Sequence, residues 1–240
     1  DKRAIVTGSS SGIGAGVALA FAREGADVVI NYPTPKQQEA AEAIAQQVRA
    51  AGRKSKAIQA DVSEPAQVAQ LVEGSVAALG GIDCIVCNVS ALAVGDTPET
   101  WEKSFRTDMM HTVNSVAASM PYLEKSKSAS IIIISSVSGF EVDFAAGSYG
   151  AFKGALIHYA KGLSNQLIPK GIRVNAVSPG NTYFEGGIWH NIEKGNPDLF
   201  KMAMGLNPTG RMGTAEEVAA GVVFLASPLA SRISGTNLII

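Results

Sequence analysis

Cysteine is almost absent: two in 240 residues, both inside "IDCIVCNVSA" at 82–91. Two cysteines make no disulfide framework, and a reducing cytoplasm is the expected compartment. If 84–88 is a strand, Cys84 and Cys87 point to opposite faces. Their Cα atoms then lie roughly 10 Å apart, beyond the roughly 4.4–6.8 Å of a disulfide. The spacing looks like a redox or metal pair, yet it predicts two small buried apolar residues. Charge is scarce as well, at 17% with a net value of −1 and no Lys/Arg block. The electrostatic footprint of a nucleic-acid partner or an anionic membrane surface is therefore missing. No apolar run approaches the roughly 20 residues of a membrane helix. The three histidines, His111, His158 and His190, fall in unrelated segments without ligand spacing. They are expected to be packing or surface residues, and no metal is predicted. The opening "DKRAIVTG" reads as a strand entered directly, not as a signal peptide.

What the chain has in quantity is apolar surface to bury, 46% of its residues. Short apolar runs at 4–6, 27–30, 56–60, 84–88, 130–135, 172–177 and 237–240 do not alternate cleanly, which is how strands covered on both faces read. Between them lie helical stretches at roughly 12–24, 36–51, 65–79, 99–120, 147–168 and 215–226. Ser63 before Pro65 predicts a helix start, and Thr214 with Glu217 predicts a capping box. Gly25 and Gly52 fall just past helix ends. Strand–helix alternation from end to end implies an α/β fold: one parallel sheet with helices on both faces, doubly wound, over 1–240. The region 179–213 reads as a long irregular loop, and such a loop in a compact domain is usually functional. Its part 182–205 is the expected substrate lid.

Three places carry chemistry. "TGSSSGIG" at 7–14 leaves the first strand and opens the first helix. Gly8, Gly12 and Gly14 let backbone approach a ligand, and Ser10, Ser11 and Ile13 complete the turn. The helix N-terminus behind them suits a pyrophosphate. "SYGAFKGAL" at 148–156 sets Tyr149 and Lys153 four apart on one helix face. Taken alone, that spacing equally fits a surface stacking pair. Ser136, however, ends the strand "SIIIIS" at the sheet edge where ligands of open α/β folds bind. A tyrosine is hardly ionised at neutral pH. A nearby ammonium favours the phenolate, and a hydroxyl could hold the substrate oxygen, so Ser136, Tyr149 and Lys153 form a plausible acid/base set at a carbonyl/alcohol centre.

"TGSSSGIG", Ser136 thirteen residues before Tyr149, "YGAFK", "RVNAVSPG" (173–180) and "NPTGRMGTAEEVAAGVVFLAS" (207–227) together resemble the classical short-chain dehydrogenases/reductases, in particular the 3-oxoacyl-carrier-protein reductase-like branch. The likeness runs nearly end to end. It implies a Rossmann-type sheet of about seven strands, a nicotinamide dinucleotide, a carbonyl or secondary alcohol substrate, and a homodimer or homotetramer. It implies Tyr149 as general acid in reduction and base in oxidation, Lys153 on the nicotinamide ribose, and Ser136 on the substrate oxygen. By the same resemblance Asp61 and Val62 match adenine contacts, Asn88, Val89 and Ser90 the cofactor side of the fourth strand, and Pro179, Gly180 and Thr182 the nicotinamide side.

Two departures stand out. The family's Asn-Asn-Ala-Gly is Cys87-Asn88-Val89-Ser90 here, with bulkier side chains where glycine admits the cofactor. The family's fourth catalytic residue, an asparagine, falls on Asp108, whose carboxylate adds negative charge near Lys153. Slower turnover or a shifted pH optimum is expected. Cofactor choice rests on position 32. An acid there would hold the ribose hydroxyls of NAD. It is Tyr32, and Asn31, Tyr32, Thr34 and Lys36 could cradle a 2′-phosphate, so NADP(H) is favoured and NAD(H) remains open. Phe140, Phe144, Tyr183, Phe184 and Trp189 are read either as substrate-pocket lining or as lid packing. The chief alternative to a carbonyl reductase is a dinucleotide-binding protein with weak or no catalysis, prompted by Asp108 and the altered 87–90 segment.

Overall fold

The structure is a computed structural model that describes residues 2–143 and 145–240; Phe144, named above, lies outside them. Seven parallel strands form one sheet in the order β3-β2-β1-β4-β5-β6-β7. They are β1 (Arg3–Val6), β2 (Asp27–Tyr32), β3 (Ser55–Gln59), β4 (Cys84–Cys87), β5 (Ser130–Ile134), β6 (Arg173–Ser178) and β7 (Asn237–Ile239). The helices are α1 (Gly12–Arg23), α2 (Gln38–Ala50), α3 (Pro65–Leu79), α4 (Pro98–Ser104), α5 (His111–Leu123), α6 (Ser148–Leu167), α7 (Ile188–Gly195), α8 (Pro197–Gly205) and α9 (Ala215–Ala226). The chain order reverses beside β1, between β1 and β4, and open α/β sheets bind ligands at such a switch point.

The core is two layers, one on each sheet face. Val6, Val28, Ile30, Ile132 and Ile134 pack under α1, α2 and α9, whereas Ile5, Val29, Ile131, Ile133 and Val174 pack under α3, α5 and α6. Successive strand residues alternate between the layers, so each must be apolar. Ile131, Ile132 and Ile133 are fully buried, and each such side chain contributes about 1.5–3 kcal/mol of transfer free energy. Cys84 belongs to one layer and Cys87 to the other, and both are free thiols. Burial pushes the Cys84 thiol up and the Cys87 thiol up to about 12. The pair is packing.

Local chemistry sets several boundaries. Thr214 and Glu217 close a reciprocal capping box at α9. Ser63, expected to cap α3, does not. Glu64 is the cap, Pro65 opens the helix, and the Ser63 hydroxyl and amide both bond Asp61 Oδ1. The stretch 99–120, expected as one helix, is α4 and α5 joined by a wider π-turn at Phe105–Met110. The region 179–213, expected to be irregular, holds α7 and α8. Asn196 accepts from Leu199 N at 3.2 Å and Pro197 opens α8, start signals hidden among loop-type residues. Trp189, Ala203 and Met212 form a small core there with Tyr183, Ile188, Ile192 and Phe200, apart from the two sheet layers. A parallel bridge between Thr182 and Gly213 joins the ends of the segment. Among the described residues, no helix is long and apolar enough to cross a membrane.

Candidate active site

Four segments meet at the carboxyl edge of the sheet: the glycine turn after β1, the chain after β4, the turn after β5 leading to α6, and the chain after β6. The glycine turn is tight for stated reasons. Gly8 and Gly12 have φ of +61° and +56°. A Cβ on Gly14 would stand 2.4 Å from Gly8 O and 2.8 Å from Asn88 Nδ2. Ser11 caps α1 without any side-chain hydrogen bond, and the first turn carries no acid. Its amides and the positive end of the helix dipole are thus left for an external anion, so the residues present fit a dinucleotide pyrophosphate.

Asn31 takes a different part from the one expected of it. It is buried, with its Oδ1 accepting from Gly8 N at 3.0 Å and its Nδ2 donating to Ala60 O at 3.0 Å. Its amide shapes the glycine turn from below and is not available to a phosphate. Tyr32 is 7% exposed and packs in the core. Both lie in a strand covered on both faces, so their side chains are enclosed. Thr34 and Lys36, beyond the strand, remain exposed. Asp61 is taken up locally by Ser63, and Val62 is buried beneath α3.

On the far side of the turn, Asn88 Nδ2 donates to Thr7 O at 2.9 Å. Val89 stands where a Cβ on Gly8 would come within 2.7 Å of its Cγ2, and Ser90 Oγ accepts from Leu92 N. Val89 therefore packs on the turn itself. Phe184 stands against both Gly12 and Gly187: a Cβ on either would meet its ring at 2.7 or 2.8 Å. Trp189 packs in the small core with Ala203 and Met212, Phe140 is exposed, and Tyr183 donates to Glu193. Pro179 O accepts from Val137 N at 3.1 Å, Gly180 N bonds Ile240 O at 2.7 Å, and Thr182 Oγ1 donates to Gly180 O at 3.1 Å.

Helix α6 is fixed across the end of β5. Ser135 Oγ donates to Lys153 O at 2.7 Å, and Lys153 Nζ donates to Ile134 O at 3.1 Å. Glycines remove the spacing between the turn after β5 and the helix. A Cβ on Gly139 would lie 2.8 Å from Gly154 N, and one on Gly150 would lie 2.8 Å from Ser138 O. The turn that begins at Ser136 therefore rests on the backbone of the helix that carries Tyr149 and Lys153. Lys153 is 2% exposed and its Nζ stands 5.5 Å from the Tyr149 ring centroid, which rules out a surface stacking pair.

The π-turn aims Asp108 into the same place, a familiar use of that irregularity. Asp108 is 1% exposed. Its Oδ1 lies 3.3 Å from Lys153 Nζ, close enough for charge pairing but not aligned as a hydrogen bond. Its Oδ2 accepts from Ala91 N at 3.1 Å, and its backbone carbonyl accepts from Thr112 Oγ1 at 2.9 Å. His111, one turn on and expected as a packing or surface residue, has a further part. It is fully buried, with Nε2 3.0 Å from Thr7 Oγ1. Burial, against a smaller opposing pull from Asp108, holds its imidazole down at about 4. Thr7 Oγ1 also accepts from Asn88 N at 2.9 Å. The neutral imidazole thus braces the joint between the ends of β1 and β4. Its spacing of three from Asp108 is the one signal in the sequence that points to it. Ser138 and Asp143, hydrogen-bonded at 2.6 Å beside Ser136, have none.

The chain is similar to known proteins over nearly its whole length. Residues 8–240 match the family model described as enoyl-(acyl carrier protein) reductase. The chain is 38% identical over 239 residues to an isoepoxydon dehydrogenase of Penicillium expansum, covering 98% of this chain and 92% of the relative. It is 31% identical to a 3-oxoacyl-[acyl-carrier-protein] reductase of Staphylococcus aureus, covering 99% and 95%. Among solved structures it is similar to a short-chain dehydrogenase from Burkholderia cenocepacia in complex with NADP, with a TM-score of 0.88, 32% identity and coverage of 100% and 96%. It also resembles a metagenomic blue fluorescent protein in complex with NADPH, with a TM-score of 0.91, 28% identity and the same coverage.

Proposed function

Because the chain belongs to the classical short-chain dehydrogenase/reductase family of NAD(P)-dependent oxidoreductases acting on CH–OH groups, we propose that it interconverts a carbonyl and a secondary alcohol with NADP(H), using Tyr149 as the proton donor and acceptor. The observation that carries this reading is the buried Lys153 ammonium, held by Ile134 O beside the Tyr149 ring at the end of β5. An ammonium sequestered from water acts strongly on a neighbouring phenol, because little solvent screens it.

A bound nicotinamide dinucleotide supplies the hydride chemistry. The glycine turn and the first turn of α1 hold its pyrophosphate. Ser136 meets the substrate oxygen. Tyr149 passes a proton to that oxygen in reduction and removes it in oxidation. Lys153 steadies the phenolate form, and Asp108 tempers Lys153. Segment 182–205 serves as the substrate lid, with Phe184 touching the glycine turn. The NADP(H) preference rests on Thr34 and Lys36, exposed past β2 with no acid at position 32, and on the two similar structures that carry NADP or NADPH.

Following NADPH absorbance against a ketone panel tests the reading. Tyr149→Phe should cost at least about a hundredfold in kcat with cofactor affinity retained. A clear kcat/KM preference for NADH over NADPH would refute the cofactor assignment. The second reading, a dinucleotide-binding protein with weak catalysis, is favoured by the ion pair between Asp108 and Lys153. Binding without turnover on any substrate supports it. Trp101 and Phe105, both partly exposed and packed on Phe152, support docking of a second copy across α4 and α6, as a homodimer or homotetramer. Light scattering reads that directly.

A further inference from the structure

The turn after β5 carries a row of hydrogen bonds behind Ser136. Ser138 Oγ donates to Asp143 Oδ2 at 2.6 Å, and Asp143 Oδ1 accepts from Ala145 N at 2.8 Å. A carboxylate has no proton to give, so the Ser138 proton is committed to Asp143. Ser138 Oγ then has only lone pairs left, and Ser136 Oγ donates to it at 3.3 Å. Ser136 Oγ also accepts the Ser138 N–H at 3.2 Å. The direction of the row is set from the acidic end. A serine whose proton points into the row offers lone pairs to whatever stands in front of it.

We propose that Asp143, acting through Ser138, holds the Ser136 hydroxyl as an acceptor, so that the site binds the alcohol of its redox pair in preference to the carbonyl. The inference rests on the proposed role of Ser136 at the substrate oxygen. Asp143 and Ser138 are positioning residues, not catalytic ones. An alcohol brings a single O–H, which Ser136 accepts on binding and which must turn to Tyr149 before it is removed in oxidation. A carbonyl brings only lone pairs and must first draw the Ser136 proton off Ser138. The bond it competes with is long and between neutral groups, so the preference is modest, about five- to tenfold. It takes the form of a lower KM for the alcohol and is balanced in the turnover numbers, since no residue changes the equilibrium of the reaction.

The purified enzyme is tested with NADP+ and NADPH on cyclohexanol with cyclohexanone and on 1-phenylethanol with acetophenone. Asp143→Asn keeps an oxygen for Ala145 N and turns an amide donor toward Ser138. That reverses the row and frees the Ser136 proton for substrate. Ser138→Ala removes the link and leaves the brace from Asp143 to Ala145 intact. In both variants the KM for the ketone should fall relative to that for the alcohol, moving the ratio about fivefold or more. A brace role alone would move both KM values together, and an unchanged ratio in both variants overturns the inference. Ser136→Ala separates the two levels. If it leaves kcat and both KM values untouched, or if the wild type interconverts no pair of the ketone panel, the parent reading fails and this one with it. If Ser136 matters and the ratio ignores Asp143 and Ser138, this inference alone is wrong.

Discussion

Replacing Asp108 by asparagine removes one buried negative charge while leaving nearly the same shape. The new amide can still offer an oxygen to the Ala91 N–H, and the backbone carbonyl at position 108 still receives the Thr112 hydroxyl. What changes is the field. The carboxylate stands 3.3 Å from the Lys153 ammonium, which stands 5.5 Å from the Tyr149 ring centroid. The carboxylate is therefore no farther from the ring than those two legs laid end to end, roughly 9 Å. A unit charge at that range acts with about 0.5 kcal/mol in water and about 2 kcal/mol at an effective dielectric of 20. Removing a negative charge favours the phenolate. The pH–rate profiles in both directions should therefore move to lower pH. The variant should also lose stability, because an unpaired buried ammonium costs about 3–5 kcal/mol, less whatever the asparagine dipole returns. The assay is kcat/KM for alcohol oxidation and ketone reduction from about pH 5 to 10, with thermal unfolding as a check on folding. A folded Asp108→Asn enzyme with an unmoved profile, or one moved to higher pH, would refute the electrostatic account of Asp108.

Three further outcomes are expected. Gly12→Ala should weaken NADPH binding at least about tenfold by fluorescence titration, since φ is +56° and the new methyl would meet the Phe184 ring; unchanged affinity would mean the turn relaxes freely. His111 binds its proton less readily folded than unfolded, so its contribution to stability is complete above about pH 6.5 and is lost as pH falls toward about 4, on the order of 3 kcal/mol in total. His111→Gln should flatten that part of the stability–pH curve in chemical denaturation at several pH values, and an identical slope would remove the histidine from the account. Cys84 and Cys87, fully buried and pushed upward, should ignore an aromatic disulfide reagent at about pH 8 until denaturant is added, and fast labelling of the native protein would contradict their burial.

The seven strands and most of the helices were legible in the sequence, because a sheet covered on both faces demands unbroken apolar runs. A run such as "SIIIIS" is too short for a helix and too apolar for a loop. The glycine turn was legible for the same kind of reason: positive φ and close approach leave few alternatives to glycine at positions 8, 12 and 14. Cys84 and Cys87 could be assigned to packing from strand geometry alone. Helices α7 and α8 were obscured because their start signals, Asn196 and Pro197, are also loop residues.

The sequence by itself thus determined the architecture and the spacing of Ser136, Tyr149 and Lys153, since local periodicity and turn chemistry are encoded within a few residues. Only the tertiary structure decided what surrounds them. Turning Asn31 into a brace for Gly8, seating Phe184 against Gly12 and closing the row from Ser136 to Asp143 all depend on where separate segments come to rest. Burial and direction of hydrogen bonds are properties of that packing. They determine whether a side chain faces a ligand or holds the scaffold, and residue type alone does not.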